Sequence, residues 1–165
     1  MKKLDFNPAK TTQDFRKNYK LHDLAEYSGK NLLTQWGIDF KNFGDDKRFE
    51  KVWEKGKDKP DVIINYRGKS VLLDWKGKRK SLWIVNKRAI DAYEKWSEKY
   101  SLHVIITFFV FDENDILKER RFAFLKKHSY IESSGRQWDK NKTVEFNRDL
   151  PEFTKANLLD YLVKY

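Results

Sequence analysis

The sequence predicts an α/β protein built on a central mixed β-sheet flanked by helices, and three observations lead there. Two stretches with apolar residues at helical spacing, 20–36 and 86–101, flank runs of Val, Ile and Leu too short for helices. In "KPDVIINYRGKSVLLDWKGK", residues 59–78, Ile63 and Leu72 fall on one face of a hairpin while Val62, Ile64, Val71, Leu73 and Trp75 fall on the other. A strand pair apolar on both faces belongs inside a covered sheet. A chain of 165 residues holds one full core and not two comfortable ones. A single domain over 1–165 is therefore expected, with its core at about 20–125 and a small strand-helix appendage at about 126–165.

The elements follow in chain order. Residues 1–18 are polar and basic with little periodicity and read as a loosely held arm. From Lys20 to Trp36, Leu21, Leu24, Ala25, Leu32, Leu33 and Trp36 recur at helical spacing and Gly37 supplies the stop. Segment 37–59 alternates weakly around Phe40, Phe43, Phe49 and Val52, as one or two short strands would. Strands at 61–67 and 70–76 are joined by a tight turn at Arg67-Gly68. Asn86 is suited to cap a second helix whose apolar face carries Ala89, Ala92, Tyr93, Trp96 and Tyr100. "LHVIITFFVFD", 102–112, reads as a buried strand, and "RRFAFL", 120–125, returns after the polar turn "DEND". A strand at "TVEFN" and a helix with Pro151 at its first position, carrying Phe153, Ala156, Leu159 and Leu162, complete the chain.

Composition narrows the partners. Lys and Arg number 35 against 25 Asp and Glu, a net charge of +10, which favours a polyanion through long-range attraction and counterion release. Aromatic residues at 16%, six of them Trp, supply the burial that a disordered basic tail lacks. The absence of cysteine removes disulfides, thiolate zinc sites and cysteine nucleophiles. The N-terminal "MKKLDFNPAK" has no apolar stretch behind it, and "VIITFFVF" is far short of a membrane span. A cytoplasmic protein with no membrane partner is expected.

The chemistry lies in the hairpin, where two aspartates interrupt apolar strands. Asp74 and Lys76, two apart, share a face with Leu72. A turn with an even number of residues centred on Arg67-Gly68 places Asp61 directly opposite Asp74, and a three-residue turn with a bulge shifts it to a diagonal neighbour. Opposed carboxylates repel unless a cation sits between them. Two aspartates and a nearby carbonyl such as that of Trp75 suit a hard cation such as Mg²⁺, for which Mn²⁺ substitutes. Such an ion polarises a phosphoryl oxygen and acidifies water, while Lys76 could orient that water or neutralise developing charge.

Pro60-Asp61, a hydrophobic strand, a turn, a second hydrophobic strand and Asp74-Trp75-Lys76 together resemble the PD-(D/E)xK nuclease superfamily. The surrounding order of helix, motif hairpin, helix and apolar strand is similar to that of the archaeal Holliday junction resolvases, from about Leu21 to Leu125; residues 126–165 have no counterpart. The resemblance implies a restriction-endonuclease-like fold and a metal-dependent endonuclease acting on structured or branched DNA. It implies Asp61 and Asp74 as metal ligands, Lys76 as the catalytic lysine, and Glu26, eleven positions before Gly37, as the acidic residue of the first helix, with Asp23 as its rival. Glu26, Gly29, Leu33 and Trp36 also lie along one helical stripe, and Gly29 would let that helix approach the sheet closely. The middle acidic residue is Asp where Glu is commoner. The second helix begins Asn86-Lys87-Arg88 where many relatives carry a glutamine.

Other motifs have plainer readings. "RGKS" at 67–70 mimics the end of a phosphate-binding loop, but Ile63 stands where its glycine belongs and a strand follows it. His22, His103 and His128 are scattered, as surface or core histidines are. Tyr93, Trp96 and Tyr100 at helical spacing read as core. Lys78, Arg79, Lys80, Lys87 and Arg88, just beyond the catalytic lysine, are candidates to track a DNA backbone, although charge runs are commonly solvated faces. RNA is an alternative polyanion, and a binding module without chemistry is the competing function. A symmetric homodimer, with the C-terminal appendage as its interface, would suit a nuclease that cuts two strands.

Overall fold

The computed structural model describes residues 12–43, 58–138 and 141–165. Helix α1 (Thr12–Gln35) leads into strand β1 (Asp39–Asn42), and β2 (Val62–Tyr66) and β3 (Lys69–Lys78) form the central hairpin. After β4 (Ile84–Asn86) come α2 (Lys87–Tyr100), β5 (Val104–Phe111), β6 (Leu117–Phe124), β7 (Tyr130–Trp138), β8 (Asn141–Phe146) and α3 (Lys155–Lys164). Five strands form a mixed sheet in the order β1-β2-β3-β5-β6, parallel only between β3 and β5. The parallel pair is reached through α2, the crossover that parallel strands require. The α/β class and its mixed central sheet are as the sequence predicts. No described helix is long and apolar enough to cross a membrane.

The hairpin turn has two residues, both with positive φ, Arg67 at 48° and Gly68 at 81°. This mirror-image turn matches the right-handed twist of the strands it joins. It fixes the register Val62 to Leu73, Ile63 to Leu72 and Ile64 to Val71. The two faces of β3 then enter different cores. Val71, Leu73 and Trp75 join Ala25 and Leu33 of α1 and Leu158 and Leu162 of α3 in one cluster. Leu72 joins Ile90 and Tyr93 of α2 and Val144 and Phe146 of β8 in the other.

Helix α1 crosses β3 at close range. A Cβ on Gly29 would stand 2.1 Å from the Trp75 ring, and one on Gly77 would stand 2.1 Å from the Leu21 carbonyl oxygen. Only glycine allows that approach.

Several boundaries differ from expectation. Helix α1 begins at Thr12, so part of the expected arm is helical: a polar stretch without an apolar stripe can still propagate a helix that tertiary packing stabilises further on. Of the short strands expected in 37–59, β1 is present, while Phe49 and Val52 lie outside the described residues. The C-terminal strand and helix are both present. Strand β8 is the centre of a second antiparallel sheet, β4-β8-β7, whose outer strands the sequence reading lacks. Helix α3 starts later than Pro151 suggests. Thr154 caps it by accepting from Asn157 N at 3.1 Å, while Pro151 O accepts from Phe122 N at 3.1 Å and Phe153 N donates to Arg120 O at 3.0 Å. Residues 151–153 therefore extend the edge of β6 before the helix begins.

Candidate active site

The two-residue turn brings Asp61 to the strand end opposite Asp74. Asp61 N donates to Leu73 O at 3.0 Å, and Trp75 N donates to the Asp61 carboxylate at 2.8 Å. Asp74 is only 3% exposed, and its carbonyl accepts from Thr107 Oγ1 at 2.9 Å across the parallel pair. Lys76, one pleat further on the same face, places Nζ 3.0 Å from Asp74 Oδ2. The same Nζ donates to the Tyr93 hydroxyl at 3.3 Å. Asp74 Oδ2 is buried and has no aligned hydrogen bond, so the Lys76 contact is an ion pair and not a satisfied donor-acceptor pair.

Electrostatics reflect this crowding. Burial, and then the Asp74 charge, push the Asp61 carboxyl well above the usual carboxylate range. For Lys76, burial works against the charge, but Asp74 and Asp61 outweigh it and its proton is held more tightly than usual. Lys76 is thus an ammonium at neutral pH. Burial, followed by Asp74, Asp61 and Asp58, pushes the Tyr93 phenol well above its ordinary value.

On α1, His22 reaches this cluster, its Nε2 3.8 Å from Asp61 Oδ1. Glu26, one turn later, is paired with Lys30 Nζ at 2.8 Å, and that ammonium also donates to Asn42 Oδ1 at 2.9 Å. Asp23 is partly buried on the same helix. Among the described residues no group of three or more His, Asp or Glu side chains converges into a metal cage. Among the described residues the carboxylates of Asp61 and Asp74 could hold a hard cation, with the His22 ring beside Asp61.

The basic residues beyond the hairpin are mostly engaged. Lys78 turns inward and donates to Ile84 O at 2.6 Å. Arg79 pairs with Asp115 at 2.9 Å, Lys87 with Asp91 at 3.2 Å, and Arg88 with Asp58 at 3.0 Å. Lys80 is exposed. Sequence reasoning passed over His22, Tyr93 and Asp58. His22 precedes Glu26 by one helical turn, so a stripe that admits one admits the other.

No family model matches the chain, and no curated protein is similar to it. Among solved structures it is similar to Hjc of Archaeoglobus fulgidus, a Holliday junction resolvase from an archaeal hyperthermophile. That likeness covers 75% of this chain and 83% of the other, with 7% sequence identity and a TM-score of 0.47.

Proposed function

We propose that this protein is a divalent-cation-dependent nuclease that hydrolyses phosphodiester bonds in DNA. The observation that carries the reading is the juxtaposition of Asp61 and Asp74, two carboxylates held together at the end of a hairpin with Lys76 against them. Opposed carboxylates at a buried strand end destabilise a fold unless a cation is part of its working state. The donor set fits Mg²⁺ or Mn²⁺: oxygen ligands, one of them the buried Asp74 Oδ2 without an aligned hydrogen bond. The bound ion would supply polarisation of a phosphoryl oxygen and a more acidic water.

The chain's own residues do the rest. Asp61 and Asp74 would hold the cation, and the Trp75 N–H fixes one Asp61 oxygen in place. Lys76 would donate hydrogen bonds to water or to a phosphate oxygen and offset charge that develops there. His22 flanks Asp61 from α1, where the resemblance assigns Glu26. In this reading the exposed Lys80 and the half-exposed Arg88 would contact the phosphates of the bound strand.

The test is cleavage of labelled duplex, four-way-junction, flap and single-stranded DNA, with single-stranded RNA alongside, in Mg²⁺, Mn²⁺ or chelator. Metal-dependent cutting is expected, reduced by at least about 100-fold in Asp74→Ala and in Lys76→Ala. Binding without cutting, unchanged by either substitution, would instead make the protein a nucleic-acid-binding module.

A further inference from the structure

We infer that Tyr93 is the positioning residue of this site, its hydroxyl holding the Lys76 ammonium against Asp74. The inference rests on the nuclease reading and deepens it. Tyr93 is 2% exposed and sits in the second turn of α2, packed in the core cluster with Ala89 and Ile90 of the same helix and Leu72 of the neighbouring β3. Its oxygen has no reason of packing to face a strand end that carries three ionisable groups. It lies 3.3 Å from Lys76 Nζ and accepts a hydrogen bond from that ammonium, which Asp74 also contacts. A phenol can accept from an ammonium and donate to a carboxylate at once, which no aliphatic residue can do.

Geometry explains why such a clamp matters. A lysine carries four flexible torsions, and two on-site partners narrow its ammonium to one position. Asp74 alone holds it at a single point, 3.0 Å away and without an aligned hydrogen bond. The Tyr93 hydroxyl adds a second restraint, accepting from Nζ at 3.3 Å. Rigid α2, and not a loop, supplies that restraint. Asp58 is tied to the same helix by Arg88 and by Trp96, whose Nε1 donates to Asp58 O at 2.9 Å. The Tyr93 hydroxyl thus stands between the helix and the chemistry.

The experiment compares wild type, Tyr93→Phe, Lys76→Ala and the double variant for single-turnover and steady-state DNA cleavage in Mg²⁺. Phe keeps the buried ring and removes only the hydroxyl. Tyr93→Phe is expected to lower kcat about tenfold with KM and DNA affinity changed less than about twofold, the size of one lost hydrogen bond acting in the transition state. In the Lys76→Ala background the same change is expected to cost less than about twofold, because a residue that acts through Lys76 has nothing left to hold. A purely structural tyrosine would give the same loss in both backgrounds, and that outcome overturns the inference. A second reading needs no activity: the Lys76 ammonium signal in ¹⁵N-correlated NMR is expected to be slowed and dispersed in wild type and to collapse to the solvated position in Tyr93→Phe. An unmoved signal overturns the inference while leaving the nuclease intact. A wild-type protein that cuts no substrate removes both.

Discussion

Lys78 carries its ammonium inward, where Nζ donates to Ile84 O at 2.6 Å and lies 5.9 Å from the centroid of the Phe108 ring. Burial, helped by the neighbouring Lys76 charge, lowers its proton affinity from 10.5 to about 8. At 1.36 kcal/mol per pH unit, keeping it charged costs on the order of 3 kcal/mol. Unfolded Lys78 stays protonated to about 10.5 while the folded form loses its proton near 8, so this group makes the protein more stable as pH rises through that window. Lys78→Met is therefore expected to raise the melting temperature at pH 7, with the advantage constant below about 8 and fading towards 10.5. Calorimetry of both proteins across that range checks it; an advantage independent of pH would sink it. The same residue shows what sequence reveals at this scale. The alternation that puts Asp74 and Lys76 on one face also puts Lys78 there, yet a run of basic residues reads as a solvated surface. The juxtaposition of Asp61 and Asp74 was legible because either turn the sequence allows leaves them directly or diagonally opposed, and the two-residue turn selects the direct register. His22 was not, because helical spacing fixes a stripe and does not choose between residues one turn apart.

Helix α1 and strand β3 form the element pair that sets the site, because one face of β3 meets α1 while the other carries Asp74 and Lys76. Their separation depends on Gly29 and Gly77. Trp75, 1% exposed, cannot swing away from a methyl group on Gly29, and the clash at Gly77 is with backbone. Gly29→Ala and Gly77→Ala are each expected to cost about 3 kcal/mol, the upper range for overpacking, and to lower the melting temperature by roughly 6–12 °C. Tyr27→Ala on the same helix, 70% exposed, should leave it within about 2 °C. Thermal unfolding followed by circular dichroism decides, and near-neutral glycine variants would mean that the helix does not cross so closely. Elements with strong periodicity were legible: α1 beyond its polar start, the hairpin, α2 and β5. Strands β4 and β7 were not, since β4 has three residues and β7 carries no apolar alternation to betray it. Pro151 misplaced the start of α3 because the residue suits an extended edge segment as well as a first helical turn.

The whole molecule carries +10, but its charges do not act alike. Arg79 and Lys20 close on Asp115 at 2.9 and 2.7 Å, which ties α1 and the end of β3 to the β5-β6 turn. Asp112 Oδ1 fixes that turn by accepting from Asn114 N and Ile116 N, and those backbone bonds, first the one from Ile116, hold its carboxyl below the usual range. Composition reports the sum of such charges and cannot separate the ones committed to the fold from the ones open to a partner. Two basic residues adjacent in sequence should therefore respond differently. Lys80 is exposed and has no ion pair among the described residues, so in the proposed nuclease Lys80→Ala is expected to reduce the slope of log affinity against log salt by about one while leaving stability unchanged. Arg79→Ala is expected to lower the melting temperature, because it releases Asp115 from one partner, and to change the salt slope less. Fluorescence anisotropy of a labelled duplex between about 50 and 200 mM salt reads the slopes, with melting as the second axis. Equal slopes for wild type and Lys80→Ala would place the DNA path away from the end of β3, and would leave the clustered carboxylates of Asp61 and Asp74 facing a strand that arrives from the α1 side.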